Sequence, residues 1–353
     1  YHPDLHSFPP RRASELIRNF GFRGVSSPFT GARVTLENLA IASCAFEGAF
    51  IEGDAKIINC TAEFNDAPGF RVDGVARIDG SAANANDSHG FWIESGLITN
   101  STARDNTLNG FNLGSIVTNA GSVVAVNCVS KSNSQEGFFS TDPVTLVNCH
   151  AVENDDFGFQ LDNDASLEGC VARQNGNAGF LTGQSATLSR CIASENAANG
   201  INVSANSTVE SCVAYMNGNF GIATSLNCSI ANSASRDNIS DGFFVGAGSS
   251  VQSCAANIND GDGFQLQSDA RLANCSADGN AVAGIRGTSD TVIDSCNVTD
   301  NATGIIAGAG GLVIRCFAAG NSTNYDMTAA DHGAIISPVG AFTEPNAFAN
   351  ISY

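Results

Sequence analysis

Glycine followed by phenylalanine or isoleucine returns every 21 residues through most of this chain: Gly137-Phe138, Gly158-Phe159, Gly179-Phe180, Gly200-Ile201, Gly221-Ile222, Gly242-Phe243, Gly263-Phe264 and Gly284-Ile285. Gly69-Phe70, Gly90-Phe91, Gly110-Phe111 and Gly304-Ile305 extend the series with small changes of length. A fixed period of this size restricts the fold more than any other feature, because each unit can bury its apolar side only against its neighbours. Within a unit, apolar residues stand two apart, as in Cys149/Ala151 and Phe159/Leu161, and Gly and Asn separate the runs. That is strand spacing punctuated by turns, with no sustained helical period. Three short strands per unit make one coil of a parallel β-helix. The sequence therefore predicts an all-β, single-domain solenoid of about 12–13 coils, a rod on the order of 60 Å long.

Two ladders follow from stacking. Asn133, Asn154, Asn175, Asn196, Asn217, Asn238, Asn259, Asn280 and Asn301 keep the 21-residue spacing, with Asn321 one residue early and Asn86 in the same role. Such amides can bond a turn and one another. Ten of the twelve cysteines share another repeat position, where Ser81, Thr102 and Ser233 substitute. No CxxC pair or Cys/His cluster suggests a metal, so a small buried residue is expected there, with Cys44 and Cys228 off the ladder as the exposed thiols.

These residues give the chain its likeness. The Asn ladder and the Gly-Ile/Phe strand start, over about residues 34–325, resemble the right-handed parallel β-helix repeats of the pectate-lyase-like superfamily. The tail, Asn324-Tyr325-Asp326 and Pro345-Asn346-Ala347-Phe348-Ala349-Asn350, looks similar to that of secreted β-helix proteins of unassigned function. The resemblance implies right-handed coiling and secretion. It also implies that any enzymatic site lies in the groove beside the Gly-Phe strand. The lyase, polygalacturonase and epimerase signatures Arg-x-Pro-x-x-Arg, Asn-Thr-Asp, Gly-His-Gly and Tyr-Gly-Phe-Asp-Pro-His are missing.

The expected organisation is an N-terminal cap over residues 1–33, helical around 11–20, then the β-helix over 34–325 and an irregular capping tail over 326–353. A formal charge of −19, with Lys56 and Lys131 the only lysines, leaves no basic patch for nucleic acid. It also repels polyanionic glycans unless a cation bridges them. No apolar run approaches membrane-spanning length. The chain opens on Tyr1 and carries twelve Asn-x-Ser/Thr sequons, which points to a secreted, extracellular or cell-surface protein. Asn59, Asn100, Asn202, Asn206, Asn227, Asn274, Asn297 and Asn350 are the expected glycan acceptors.

Candidate chemistry is sparse. Asp73 should lie near Glu94 one coil on, Asp162 and Asp164 near Gln160, and His89 next to Gly90, which makes these the candidate acids and bases. Trp92, Phe139, Gln160, Phe244 and Gln265 should project from the Gly-Phe strand and suit a sugar ring. Asp260 and Asp262 offer oxygens of the kind that suit calcium, as do Asp155 and Asp156. Val171, Ile192 and Val213 should form an apolar stripe on another face, fit for a second subunit. The sequence reading favours a non-enzymatic extracellular scaffold that assembles with itself or other proteins. A polysaccharide lyase or hydrolase, or a glycan-binding adhesive module, is the alternative.

Overall fold

The computed structural model describes residues 15–114, 122–327, 330–336 and 348–352. The chain winds as an all-β, right-handed parallel solenoid of about 15 coils, with no helix among the described residues. Each coil lays one short strand on each of three faces. The groove face carries the Gly-Phe strands, such as Phe138–Ser140 and Phe159–Leu161. A second face carries Val144–Val147 and Ser166–Glu168, and a cysteine face carries His150–Val152 and Val171–Arg173. All pair in parallel with the coil above and below. Phe70–Asp79 and Phe91–Thr99 are long enough to run from the groove face onto the second face without a break.

The core is built by repetition. Phe70, Phe91, Phe111, Phe138, Phe159 and Phe180 stack ring on ring, with centroids 4.7 to 5.3 Å apart. Ile201 and Ile222 continue the column, and Phe243 and Phe264 stack again at 4.7 Å. All are buried, and each ring contributes roughly 1.5–3 kcal/mol of apolar transfer. Glycine precedes the ring because a side chain there would collide with the next coil: at Gly158 a Cβ would lie 2.6 Å from the Gly179 carbonyl oxygen.

The asparagine ladder runs from Asn65 to Asn321 and takes in Asn106 as well. Asn154 shows the pattern. Its Nδ2 donates to Asn175 Oδ1 at 3.0 Å, and that same oxygen accepts from the Asn154 backbone N–H. Each amide of the ladder thereby bonds the next, which is the condition for stacking polar groups in a core.

Three expectations need correction. Residues Glu15–Arg18 form a strand paired with Leu39–Ala42, not part of a helical cap; residues 11–14 lie outside the described set. Stacking on an open sheet edge satisfies the backbone of this segment, which its own amphipathic pattern could not reveal. Cys44 and Cys228 are buried, 1 and 3 % exposed. Cys44 heads the asparagine ladder, its N–H bonding Asn65 Oδ1, and Cys228 belongs to a column of small residues with Ser207 and Ser249. The rung between Cys60 and Cys128 includes Ser101, not Thr102, because that coil is one residue shorter. All twelve cysteines are free and buried.

Candidate functional site

One outward column crosses the groove face in register: Ser26, Phe50, Arg71, Trp92, Asn112, Phe139, Gln160, Leu181, Asn202, Ala223, Phe244, Gln265, Arg286 and Ile306. Chemistry concentrates where the repeat becomes irregular. Between Ile93 and Ser95 the register slips, so that Asp73 and Gly74 together face Glu94. Such a bulge re-aims the side chains on it. Gly96 follows with φ of +121°, and a side chain there would run into the Ala76 backbone.

Around this bulge several groups converge. Arg71 donates to both oxygens of Asp73, at 2.8 and 3.0 Å, and lies 4.0 Å from Glu47. The Arg71 guanidinium rests 4.7 Å over the Trp92 ring and 5.0 Å over Phe50. Arg23 sits 4.0 Å over the same Phe50 ring and pairs with Glu47 at 2.7 Å. Burial raises the carboxyl of Glu94, and the charges of Asp73 and Asp142 add to the effect, while Arg71 opposes it. Asp142 is buried two coils on, beside Gly114.

His89 meets Trp92 edge to face at 5.3 Å. Its Nδ1 accepts from the Asn109 N–H at 3.3 Å, and Nε2 faces the Asn112 amide at 3.5 Å. Burial lowers its pKa to about 4, so the ring is neutral at neutral pH. Trp92 Nε1 and Asn109 Oδ1, a donor and an acceptor, are buried without a partner among the described residues. Orphaned polar atoms are uncommon, and here they flank one cluster.

The sequence candidates divide accordingly. Asp73, Glu94, His89 and Trp92 come together. Asp162 and Asp164 sit exposed on a turn, Asp162 capping the Asn163 N–H and Asp164 at φ of +60°, apart from this cluster. Phe139 and Gln160 stand further along the column. Arg23, Glu47, Phe50 and Asp142 were missed; the first three precede the Gly69-Phe70 pair from which the repeat was counted, although Arg23 and Glu47 share a repeat position and Phe50 stands one rung from Arg71. The available signal was irregularity: the spacing from Gly90 to Gly110 to Gly137 breaks the 21-residue period.

Farther along, Phe244 tilts against Phe220 at 5.2 Å. Gln265 is the next rung and Arg286 the one after. Asp262, the calcium candidate paired with Asp260, has other partners. Its carboxylate is engaged by Arg286 Nε at 2.5 Å and Nη2 at 3.1 Å and by the Ala283 N–H, while Asp260 is exposed. Asp156 accepts instead from the Asn177 amide. Among the described residues no three His, Cys, Asp or Glu side chains gather as a metal would require.

On the cysteine face Val171, Ile192 and Val213 stand on consecutive rungs, with Ile192 37 % exposed. Asn59, Asn100, Asn206, Asn227, Asn274 and Asn297 are exposed and Asn202 is half-buried. Asn350 is a correction. It is wholly buried, accepting from the Cys316 N–H and donating to Val313 O, so no glycan can reach it. No helix among the described residues is long and apolar enough to cross a membrane.

No curated protein matches the chain. Among solved structures, the A-module of the Azotobacter vinelandii mannuronan C-5 epimerase AlgE4 is 15 % identical, with 86 % of this chain and 91 % of that one covered at a TM-score of 0.51. The periplasmic alginate epimerase AlgG is 9 % identical over 89 % of this chain and 76 % of its own, at 0.40. Pectate lyase Pel9A is 16 % identical over 90 % and 70 %, at 0.33. At these identities the likeness concerns the fold. Residues 47–188 and 180–323 match the family described as the right handed beta helix region, and the chain belongs to that family.

Proposed function

We propose that the protein acts on a neutral polysaccharide laid across the groove face, and that the Trp92 cluster is its site. The observation that carries this is the meeting of an aromatic plane, a desolvated carboxyl and an arginine-held carboxylate at the one bulge described above. The AlgE4 module, a mannuronan epimerase, supplies a polysaccharide-acting precedent on the same fold. Charge favours a neutral chain over a uronate. Arg23 and Arg71 are already occupied by Glu47 and Asp73, and Glu94 and Asp142 add further acid, so a substrate carboxylate would meet repulsion.

In this reading Trp92 stacks on a sugar face. Glu94, with its raised carboxyl, gives its proton to the glycosidic oxygen as the bond breaks. Asp73 stabilises the positive charge that develops on the ring and takes a proton from the attacking water. Neutral His89 orients hydroxyls through Nε2. The test is a reducing-end screen on neutral and uronate polysaccharides with wild type and Glu94→Gln. Cleavage of a neutral chain, reduced about 10²–10⁴-fold in the variant with binding retained, is the expected result. Cleavage of uronates alone, or full turnover by Glu94→Gln, overturns it.

The exposed Ile192 stripe favours a second reading, a scaffold that assembles side by side. Light scattering on Val171→Asp with Val213→Asp tests it, since an unchanged particle mass removes the stripe as an interface. Both readings fit a secreted protein glycosylated at its exposed sequons. Glycosidase treatment followed by mass measurement checks this.

A further inference from the structure

The groove face holds a second convergence that the Trp92 site does not use. Phe220 and Phe244 place two tilted rings side by side, 5.2 Å between centroids. Next to them Asp241 is 8 % exposed, and its Oδ1 accepts from the Asp262 N–H at 2.7 Å. Asp262 is gripped by Arg286. Burial, and then the charge of Asp262, raises the Asp241 carboxyl, while the Asp262 N–H bond and Arg286 oppose the rise. The parts correspond to those of the first site: an aromatic plane, a desolvated carboxyl, and a carboxylate clamped by an arginine.

The two places are linked by position. From Trp92 to Phe244 the outward column takes seven rungs, through Asn112, Phe139, Gln160, Leu181, Asn202 and Ala223. At the spacing between strands that is about 34 Å along one face. No residue of this intervening column is charged. An uncharged column between two aromatic and carboxylate clusters suits one extended neutral chain better than two separate ligands.

We propose that Phe220, Phe244, Asp241, Asp262 and Arg286 form a second glycan-binding subsite, which grips the same neutral polysaccharide as the Trp92 site about 34 Å away. The inference rests on the reading of the Trp92 site and deepens it by stating the form of substrate, an extended polymer held at both ends. Phe244 covers a sugar face. The Asp262–Arg286 pair and the Asp241 carboxyl offer acceptors and donors to its hydroxyls. Once one end is bound, the other binds within the same molecule, so affinity should climb steeply when the chain becomes long enough to reach both.

The experiment is calorimetric titration of the full chain with linear neutral glucan oligosaccharides, from a disaccharide to chains longer than the span. Wild type should show a gain of about 10²-fold or more in affinity across that length. Phe244→Ala should abolish the gain and cut the short-chain stoichiometry from two sites to one, and Phe244→Tyr should restore both. Equal affinity for short and long chains, or a Phe244→Ala variant that keeps the gain, overturns the second subsite and leaves the Trp92 reading standing. If no glucan of any length binds and the screen finds no neutral polysaccharide cleaved, the Trp92 reading fails and takes this inference with it.

Discussion

The coils from Phe138 to Phe264 and the coils from Phe70 to Asp142 use the same strands for opposite purposes. In the regular stretch every side-chain column repeats at 21 residues, each asparagine bonds the next, and the outward residues of the groove face are mostly uncharged. In the irregular stretch a 20-residue coil, a bulge, and Gly96 and Gly114 at φ of +121° and +112° interrupt the repetition. There Arg71, Asp73, His89, Trp92 and Glu94 meet. Repetition supplies stability, because every coil offers the same surface to the next. Chemistry needs unlike groups side by side, and the proposed site lies where repetition fails.

This contrast can be broken by mutation. The largest effect should come from the regular core: Phe159→Ala opens the ring stack between Phe138 and Phe180 and should cost about 3–5 kcal/mol, read by urea unfolding. Because Phe159 is remote from the bulge, glycan binding at Trp92 should survive in the folded fraction. Loss of binding there would show that the two regions are not independent. Gly96→Ala should come next. The backbone at φ of +121° has no room for a side chain, so about 1–3 kcal/mol of strain or a shifted bulge follows, with turnover falling more than stability. Unchanged turnover in Gly96→Ala would sever the bulge from the proposed chemistry.

The smallest effect sharpens the comparison most. Folded Glu94 holds its proton more tightly than unfolded Glu94, because burial and Asp73 disfavour its charge. It therefore favours the folded state below the ordinary carboxylate range, and that contribution is lost as pH rises through its raised value. Glu94→Gln, which cannot ionise, should melt slightly higher than wild type at neutral pH, within about 0.5 kcal/mol. The difference should vanish as pH falls below the carboxylate range. An unchanged or reversed difference, measured by thermal melts across pH, would mean that Glu94 is well solvated.

The fold was legible because Gly158-Phe159 and Asn154 have an identical neighbour one period away, so each position states its own environment. That logic also located the outward column, which lies in register as expected from Arg71 to Ile306. It failed where the period changes. Ser101 took the place expected for Thr102, and Asn350 fills the last rung from 34 residues away, across a tail with no repeat to count. Glu15–Arg18 looked helical because amphipathic spacing over so few residues does not distinguish a helix from a strand stacked on a waiting edge. Asp73 and Glu94 were legible as neighbours. The clamp on Asp73 was not, since Arg71 reads as one more outward residue until the ring of Trp92 is seen beneath it.

The free cysteines have a use apart from packing. Nearly every coil carries one protected thiol, from Cys44 near one end to Cys316 near the other, and no disulfide joins them. A thiol reagent can reach each only when that coil opens, so twelve labelling rates measured along one chain would form a ruler of local opening. In a linear array of nearest-neighbour contacts the end coils should fray first and the middle last. The same rates would show whether the bulge at Glu94 divides the rod into two cooperative segments or passes unnoticed by its neighbours.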